Sequence, residues 1–547
     1  MNPVCPSDNR LLTAAAASFA LWGSAAISAQ DEALVTLPDL YVTSSHTAIV
    51  EPASTYGAPV SRLELNPQID LQVRNLAEAQ GDVTIRGGIF ENTGFRVGAA
   101  TLIDPQTGHY FAEIPIAPEM LRGPEVLTGV DNALGGFNST VGTIDYGWVE
   151  IADGGSALVG WGDHNLNFQR LRHGQTFASG GPASWGVEFE ISRSESAGTI
   201  ENGDHDFVRY GARTQRVTKA SQTDFFAGYQ AKYLAWPELY AAPYGSNESD
   251  SVRTLLLMAN HAQRYGDGSS WEATVYHRNH HDHYLFNRFS DSRAFLHETE
   301  VTSGAVAGSH RFSDRFALAY SGQATADSIE SSTLENNFTS RSYLKLAALP
   351  TFTLSEQGED SWVLRAGASY DDSNRDPSKV SPMVDLTYNR ADDSYYLSYA
   401  QSSQVSGYTA IGGSTGGLFA SNPNLSREVT RNFEVGATVR RNEWSLRAAA
   451  FAREDADLVD WTFSRGGLIR GDRIINRLRD MVGDVDIESL DLDFTAVAVD
   501  IEQGREIWIS HGSLFEAIRS SIAIPGLFTP HRHLGRLLVD GGITASL

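Results

Sequence analysis

Apolar and polar side chains take turns along much of the chain between about Tyr146 and Phe463. Trp185, Val187, Phe189 and Ile191 alternate with Gly186, Glu188, Glu190 and Ser192. Trp362, Leu364, Ala366, Ala368 and Tyr370 do so with Val363, Arg365, Gly367 and Ser369. Phe433, Val435, Ala437 and Val439 repeat the pattern, and Trp444, Leu446, Ala448 and Ala450 follow. Period two puts alternate residues on opposite faces of an extended strand, so these segments predict hairpin-linked strands of roughly ten residues. Gly, Asp, Asn and Ser between them supply the turns. A soluble sandwich or propeller would also alternate. Aromatics at segment ends, such as Tyr395, Tyr396, Tyr399 and Trp444, favour a barrel with interfacial girdles.

Two other regions break this rhythm. From about Ala33 to Gly142 the chain has fewer alternations, more Pro and a Gly-dense stretch, which predicts a compact α+β unit. After Arg465, Ile474, Ile475, Leu478, Met481 and Val482 fall at helical spacing. An apolar strand, Phe494 to Val499, comes next, and Ser513 is placed to cap a helix running to Ser521. That last portion predicts soluble α/β material.

The N-terminus carries Arg10 ahead of an apolar run from Leu11 to about Ile27, and small residues offer a cleavage point near Ser28-Ala29. Residues 1-29 therefore predict an export signal. The single cysteine, Cys5, falls inside it, so the exported chain would hold no disulfide. No later apolar run reaches membrane-helix length, so any membrane entry must use a closed set of strands. Composition narrows the partners: 42 Lys plus Arg against 67 Asp plus Glu give a formal charge of -25. With no basic stripe, that balance argues against nucleic acid and anionic lipid surfaces.

Asp82-Val83-Thr84-Ile85-Arg86-Gly87 and Leu121-Arg122-Gly123-Pro124-Glu125-Val126-Leu127-Thr128-Gly129, followed by Ala133-Leu134-Gly135-Gly136, resemble the plug of TonB-dependent outer-membrane receptors. Leu40, Tyr41, Val42, Thr43 and Ser44 look like the family's TonB box, which pairs by strand addition with the energising partner. Phe225 to Gln230, Trp236 to Tyr240 and Gly417 to Leu425 with Glu428, Glu434 and Gly436 resemble barrel segments. The resemblance implies a mainly β fold: a TonB-box linker over 30-60, an α+β plug over 61-145 and a transmembrane antiparallel β-barrel over 146-465. It also implies a Gram-negative outer-membrane location, a periplasmic TonB-type energising complex, outer-membrane lipid around the wall, and a small nutrient or metal-chelate ligand of siderophore or cobalamin type. Arg86, Gly87, Arg122, Gly123 and Pro124 would hold the gate. Complete members close twenty-two strands, needing roughly 440 residues, whereas only about 320 lie between Tyr146 and Arg465. A shortened barrel is expected, and the ending Ala545-Ser546-Leu547 lacks the terminal aromatic that insertion machinery reads in the family.

The tail, 466-547, resembles a second family, the patatin-like phospholipases. The carriers are Phe494 to Asp500, Gly504-Arg505-Glu506, Gly512-Ser513-Leu514, Ala517 to Ile522, Ile524 to Phe528 and Leu538-Val539-Asp540-Gly541-Gly542. The resemblance implies a partial α/β segment in which Asp540 is the aspartate of a Ser-Asp acyl-hydrolase dyad. Such a dyad needs a serine with its base and an oxyanion pocket, usually on a Gly-x-Ser-x-Gly elbow. The tail holds no such elbow. Gly412-Gly413-Ser414-Thr415-Gly416 fits the letters but sits in the Gly-rich turn before a barrel segment, so Asp540 is expected to be an orphan.

His277, His280, His281 and His283 suggest a metal at first sight; strand parity sets His280 apart from the other three, and no metal or cofactor is expected. Asp153-Gly154-Gly155 repeats the tail tripeptide in what should be an ordinary turn. The reading is a receptor for a scarce nutrient complex. A patatin-like lipid hydrolase is the alternative, and an artificial joining of two reading frames is the third.

Overall fold

The computed structural model describes residues 58-541, apart from 64-65, 75-79, 179, 241-244, 291-293, 336-337, 358-359, 413-421, 442-443, 456-460, 465-466, 470, 491, 493 and 525. The predicted signal and the TonB box lie outside the described residues.

The first unit holds β1 (Ile69–Arg74) paired with β2 (Gln80–Ile85), and a four-stranded sheet. That sheet comprises β3 (Thr93–Val97), β4 (Ala100–Leu102), β5 (Glu125–Leu127) and β6 (Gly142–Tyr146), in the order β4-β3-β6-β5. β3 and β6 run parallel, joined by a long crossover that contains α1 (Gly129–Gly135). This is the expected α+β unit.

Fifteen strands form the second part. They are β7 (Gly154–Trp161), β8 (Asn167–Ala178), β9 (Ser184–Ser196), β10 (His205–Val217) and β11 (Ser221–Pro237), followed by β12 (Asn247–Arg264), β13 (Ser270–Leu285), β14 (Ala294–Ser313), β15 (Phe316–Ser331) and β16 (Ser340–Gln357). β17 (Asp360–Ser373), β18 (Lys379–Arg390), β19 (Asp393–Gln404), β20 (Glu428–Arg441) and β21 (Trp444–Asp455) complete the set, with α2 (Tyr408–Gly412) between β19 and β20. Each strand pairs antiparallel with its sequence neighbour, and β21 does not return to β7. The barrel is therefore an open fifteen-stranded wall, short of the full complement as its length foretold.

Which face is which explains the alternation. In β9, Gly186, Glu188, Glu190, Ser192 and Ser194 are buried while Trp185 and Val187 are exposed. The same inversion holds at Arg209 and Arg213 against Tyr210, and at Ser369 and Asp371 against Tyr370. Polar side chains point inward and apolar ones outward, the reverse of a water-soluble sheet. An outward apolar band suits hydrocarbon. Tyr396 departs from the expected girdle: its parity turns it inward, where its hydroxyl donates to Glu434.

The concave face is filled by the first unit. Its Phe95, Val97, Ile116, Met120, Ile144 and Tyr146 form one apolar cluster with wall residues that include Phe207, Leu256, Tyr276 and Val301. Approach is close enough to demand glycine at 98: φ is +64°, and a Cβ there would stand 2.3 Å from Asn260 Oδ1. The next amide, Ala99 N, donates to Thr274 Oγ1 at 2.8 Å.

The tail adds β22 (Trp461–Ser464), β23 (Gly467–Ile469), α3 (Asp472–Val482), β24 (Ala496–Asp500), β25 (Arg505–Ile509) and α4 (Leu514–Ser521). After these come β26 (Gly526–Phe528), β27 (His531–His533) and β28 (Arg536–Asp540). One sheet runs β22-β23-β26 and the other β25-β24-β28-β27. Both predicted helices and the apolar strand are present. Ile487, Ala496, Ala498, Ile509, Ala517 and Leu538 make a small separate core. Ser513 occupies the position preceding α4 as expected, but its hydroxyl makes no capping bond. Among the described residues no helix is long and apolar enough to cross a membrane.

Candidate functional site

The β2 strand ends in two consecutive left-handed residues, Arg86 (φ +50°) and Gly87 (φ +69°), which turn the chain back at the wall. That turn aims the Arg86 guanidinium at Glu434 on β20, with which it forms an ion pair. Arg86 Nε also donates to Gln68 Oε1 at 3.3 Å, and the guanidinium lies 4.9 Å from the Phe451 ring centre. Asn92 Nδ2 reaches Glu428 Oε1 at 2.7 Å. Both glutamates of the late barrel segment thus hold the insert. The sequence marked each side of this contact without showing that they meet.

Arg122 does not mirror Arg86. Its backbone N–H donates to Gly147 O at 2.7 Å, but its side chain is exposed and makes no ion pair among the described residues. A Cβ on Gly147 would stand 2.0 Å from its Nη2, so the guanidinium rests on that glycine. Gly123 is exposed and Pro124 is buried. Of the two expected gate arginines, one docks on the wall.

Charge matching continues around the insert. Lys232 Nζ is 2.9 Å from Glu113, and Arg278 pairs with Asp104. Burial pushes the Asp104 carboxyl upward, but Arg278 beside it overrides that and holds it below the ordinary carboxylate value. Arg213 is fully buried: its Nη2 meets Glu188 at 2.6 Å, and its Nη1 donates to Val149 O at 2.9 Å and Met120 O at 3.4 Å. Tyr110 OH donates to Asp250 at 3.0 Å, and Gln106 to Asp282. These contacts were invisible in the sequence because they join residues scores of positions apart.

The two rims differ. Strands β10 and β11, β14 and β15 and β18 and β19 are separated by only two or three residues, whereas at the opposite rim the chain between β11 and β12, β13 and β14, β15 and β16 and β19 and β20 is longer. Toward that rim, on the outward face of the wall and so away from the insert, a polar recess of about 520 Å³ is lined by Arg253, His281, His283, His297, Glu298 and Glu330. The segment that enters α2 dips inward from the same rim. Tyr408 N donates to Pro105 O at 2.8 Å and Thr409 Oγ1 to Gln106 O at 2.8 Å. Parity separates the histidines as foreseen: His280 is buried and bonded to Thr254, while His281 and His283 are exposed. Gly154 and Gly155 open β7 rather than forming only a turn, and Asp153 accepts from Thr176 N at 2.6 Å.

In the tail, Asp540 ends β28 opposite Ala498, its amide donating to Ala523 O at 3.0 Å and its side chain half-buried. A Cβ on Gly541 would stand 2.6 Å from Val497 O, so the tripeptide packs its backbone against β24. Gly542 and Gly413 to Gly416 lie outside the described residues.

With this geometry in hand, solved structures supply parallels in shape. A mutant of the ferric enterobactin receptor of Pseudomonas aeruginosa aligns with TM-score 0.54 and 13% identity over 74% of this chain and 69% of its own. The siderophore receptor PirA of Acinetobacter baumannii aligns with TM-score 0.54 and 13% identity over 81% and 71%. The wall and its insert have the siderophore-receptor fold. The tail is similar to something else. Residues 408–547 match the patatin-like phospholipase family, a stretch that also takes in β20 and β21. An NTE family protein of Mycobacterium tuberculosis is 49% identical over 86 residues, 16% of this chain and 24% of its own. Neuropathy target esterase sws of Drosophila sechellia is 27% identical over 143 residues, 26% and 9%. The chain spans about a quarter of the length of the first of these relatives.

Proposed function

We infer that the chain is the receptor portion of a TonB-dependent outer-membrane transporter for a scarce nutrient chelate, exported by residues 1-29. Residues 61-145 act as its plug, 146-465 as its wall and 466-547 as a patatin-like appendage. The observation that carries this reading is an inside-out wall whose polar concave face grips a separate insert through ion pairs such as Arg86–Glu434 and Lys232–Glu113. The polar contacts around the shared apolar cluster can be broken and remade in place, as a gate requires. A chelate would settle on the concave side of the long-loop rim, over the insert's Asp104 to Tyr110 stretch, where Tyr408 and Thr409 also reach. Tension on Leu40 to Ser44 from the energising complex would then displace the insert.

Cells expressing the full chain should hold it in the outer-membrane fraction, with heat-modifiable gel mobility. They should take up radiolabelled ferric enterobactin or cyanocobalamin only while the inner membrane is energised. Arg86→Ala should loosen the insert and admit vancomycin. Recovery in the soluble fraction, or no uptake of either probe with a correctly inserted chain, would overturn the reading.

The 49% identity of the tail to an NTE family protein favours a second activity, acyl-ester hydrolysis with Asp540 as base. Turnover of p-nitrophenyl butyrate that Asp540→Ala abolishes would support it. No turnover above background would leave Asp540 without a serine, as the sequence leads one to expect.

A further inference from the structure

The tail brings together a cluster that neither the receptor reading nor the hydrolase reading uses. β27 carries His531 and His533 two residues apart, so both imidazoles leave the same face of the strand. α4 packs against that face and presents Glu516. His531 Nε2 lies 2.7 Å from Glu516 Oε2, and His533 Nδ1 lies 3.9 Å from the same oxygen. One donor atom from each of the three residues falls within 4.8 Å of the other two, which among the described residues happens only here. The two histidine side chains are 18% and 15% exposed, so the cluster is sheltered yet reachable.

We propose that Glu516, His531 and His533 bind a divalent transition-metal ion that clips α4 to β27. Donor atoms on a tetrahedral zinc ion stand roughly 3.3 Å apart, given metal–ligand bonds of about 2.0–2.2 Å. The 2.7 Å and 3.9 Å separations bracket that spacing and the two imidazole donors lie within 4.8 Å of each other, so side-chain rotation without movement of the backbone seats the ion. Two imidazoles and one carboxylate select zinc, cobalt, iron or nickel over magnesium and calcium, which prefer oxygen throughout. A fourth position stays open to water. The other oxygen, Glu516 Oε1, faces Arg479 Nη2 at 3.9 Å, a partner that orients the carboxylate and leaves Oε2 for the ion. β27 is the register neighbour of β28, His531 lying opposite Leu538, two residues before Asp540. The clip therefore steadies the strand that ends in Asp540, whether or not Asp540 performs chemistry.

The full chain, purified in detergent and stripped with a chelator, would be titrated with Co2+ and then with competing Zn2+. A visible ligand-field band should saturate at one equivalent and be displaced by Zn2+. H533A and E516Q should each weaken Co2+ binding at least tenfold, while H310A, on the wall, should leave it unchanged. His533 stands too far from Glu516 for a hydrogen bond, so H533A costs the fold little. In the unmodified chain, Zn2+ should also protect His531 and His533 from diethyl pyrocarbonate, read by mass spectrometry. Absence of a saturable band, undiminished affinity in H533A, or equal labelling of both histidines with and without Zn2+ would each overturn the proposal.

Discussion

Replacing Arg213 with alanine should detach the insert from the wall more effectively than any other single change at that rim. The guanidinium binds Glu188 through Nε at 3.1 Å and Nη2 at 2.6 Å, and approaches Asp224 at 3.4 Å. It also donates to Val149 O and Met120 O, the two ends of the segment where the insert leaves for the wall. Arg213, Glu188 and Asp224 are all at most 1% exposed. Removing one member of a buried pair costs about 3–5 kcal/mol when the other charge is left alone, and because Arg172 also pairs with Glu188 the loss here should fall toward the bottom of that range. Met120 O and Val149 O lose a charged donor at the same time, although Gln215 still donates to Val149 O at 2.9 Å. Asp224 is cushioned by Gln215 and Gln222, at 2.7 Å and 2.9 Å, and Glu188 by its ion pair with Arg172. Urea titration in detergent micelles, followed by tryptophan fluorescence, measures it. Trp148, whose ring lies 5.3 Å from the guanidinium, reports on the same contact. E188Q should rescue part of R213A, with a coupling energy of at least about 1 kcal/mol. A loss below about 1 kcal/mol, or strict additivity in the double variant, would refute the reasoning.

On the outer face, Val435, 55% exposed, should resist charge: V435R should cost about 2–4 kcal/mol of insertion stability in bilayers and far less in aqueous detergent, compared by folding in each. In the tail, L538A removes a fully buried side chain from a small core and should cost about 2–5 kcal/mol by thermal or urea denaturation. Asp104 sets a pH dependence. Its folded value lies below the ordinary 3.8, so the stability it contributes is fully present above 3.8 and is lost as pH falls through the lower, folded value. D104N should therefore destabilise at pH 7 and make little difference in strong acid, as judged by urea midpoints at both pH values.

Local pattern and long-range pairing were legible to very different degrees. The parity of Trp185 and Glu188 was plain because period two is a property of neighbouring residues. Even the incompleteness of the wall followed from counting residues. The tail helices could be seen from Ile474 and Ile475 onward for the same local reason. What stayed hidden was partnership. Arg86 and Glu434 are 348 positions apart, and only the curvature of the wall makes them meet. Tyr396 was read as a girdle aromatic beside Tyr395, although adjacent residues on a strand must face opposite ways, and Glu434 waits on its side. Glu516 and His531 escaped notice because the rest of α4 and β26 intervene, so no spacing rule links them. Ser513 shows the reverse error: a good capping residue in the right place, whose hydroxyl goes unused.

The unjoined strands β7 and β21 leave the molecule with two raw borders. β7 has 8 residues and β21 has 12, and roughly half the amides and carbonyls along each point away from any neighbour. In oil each such group is worth several kcal/mol, so a solitary copy within a bilayer would be under pressure to find more strand. The cheapest supply is another β-ribbon laid alongside, from a sister molecule or from whatever extended polypeptide is at hand. Dilution should keep copies apart and crowding should glue them together, border to border, long before the interior of either comes undone.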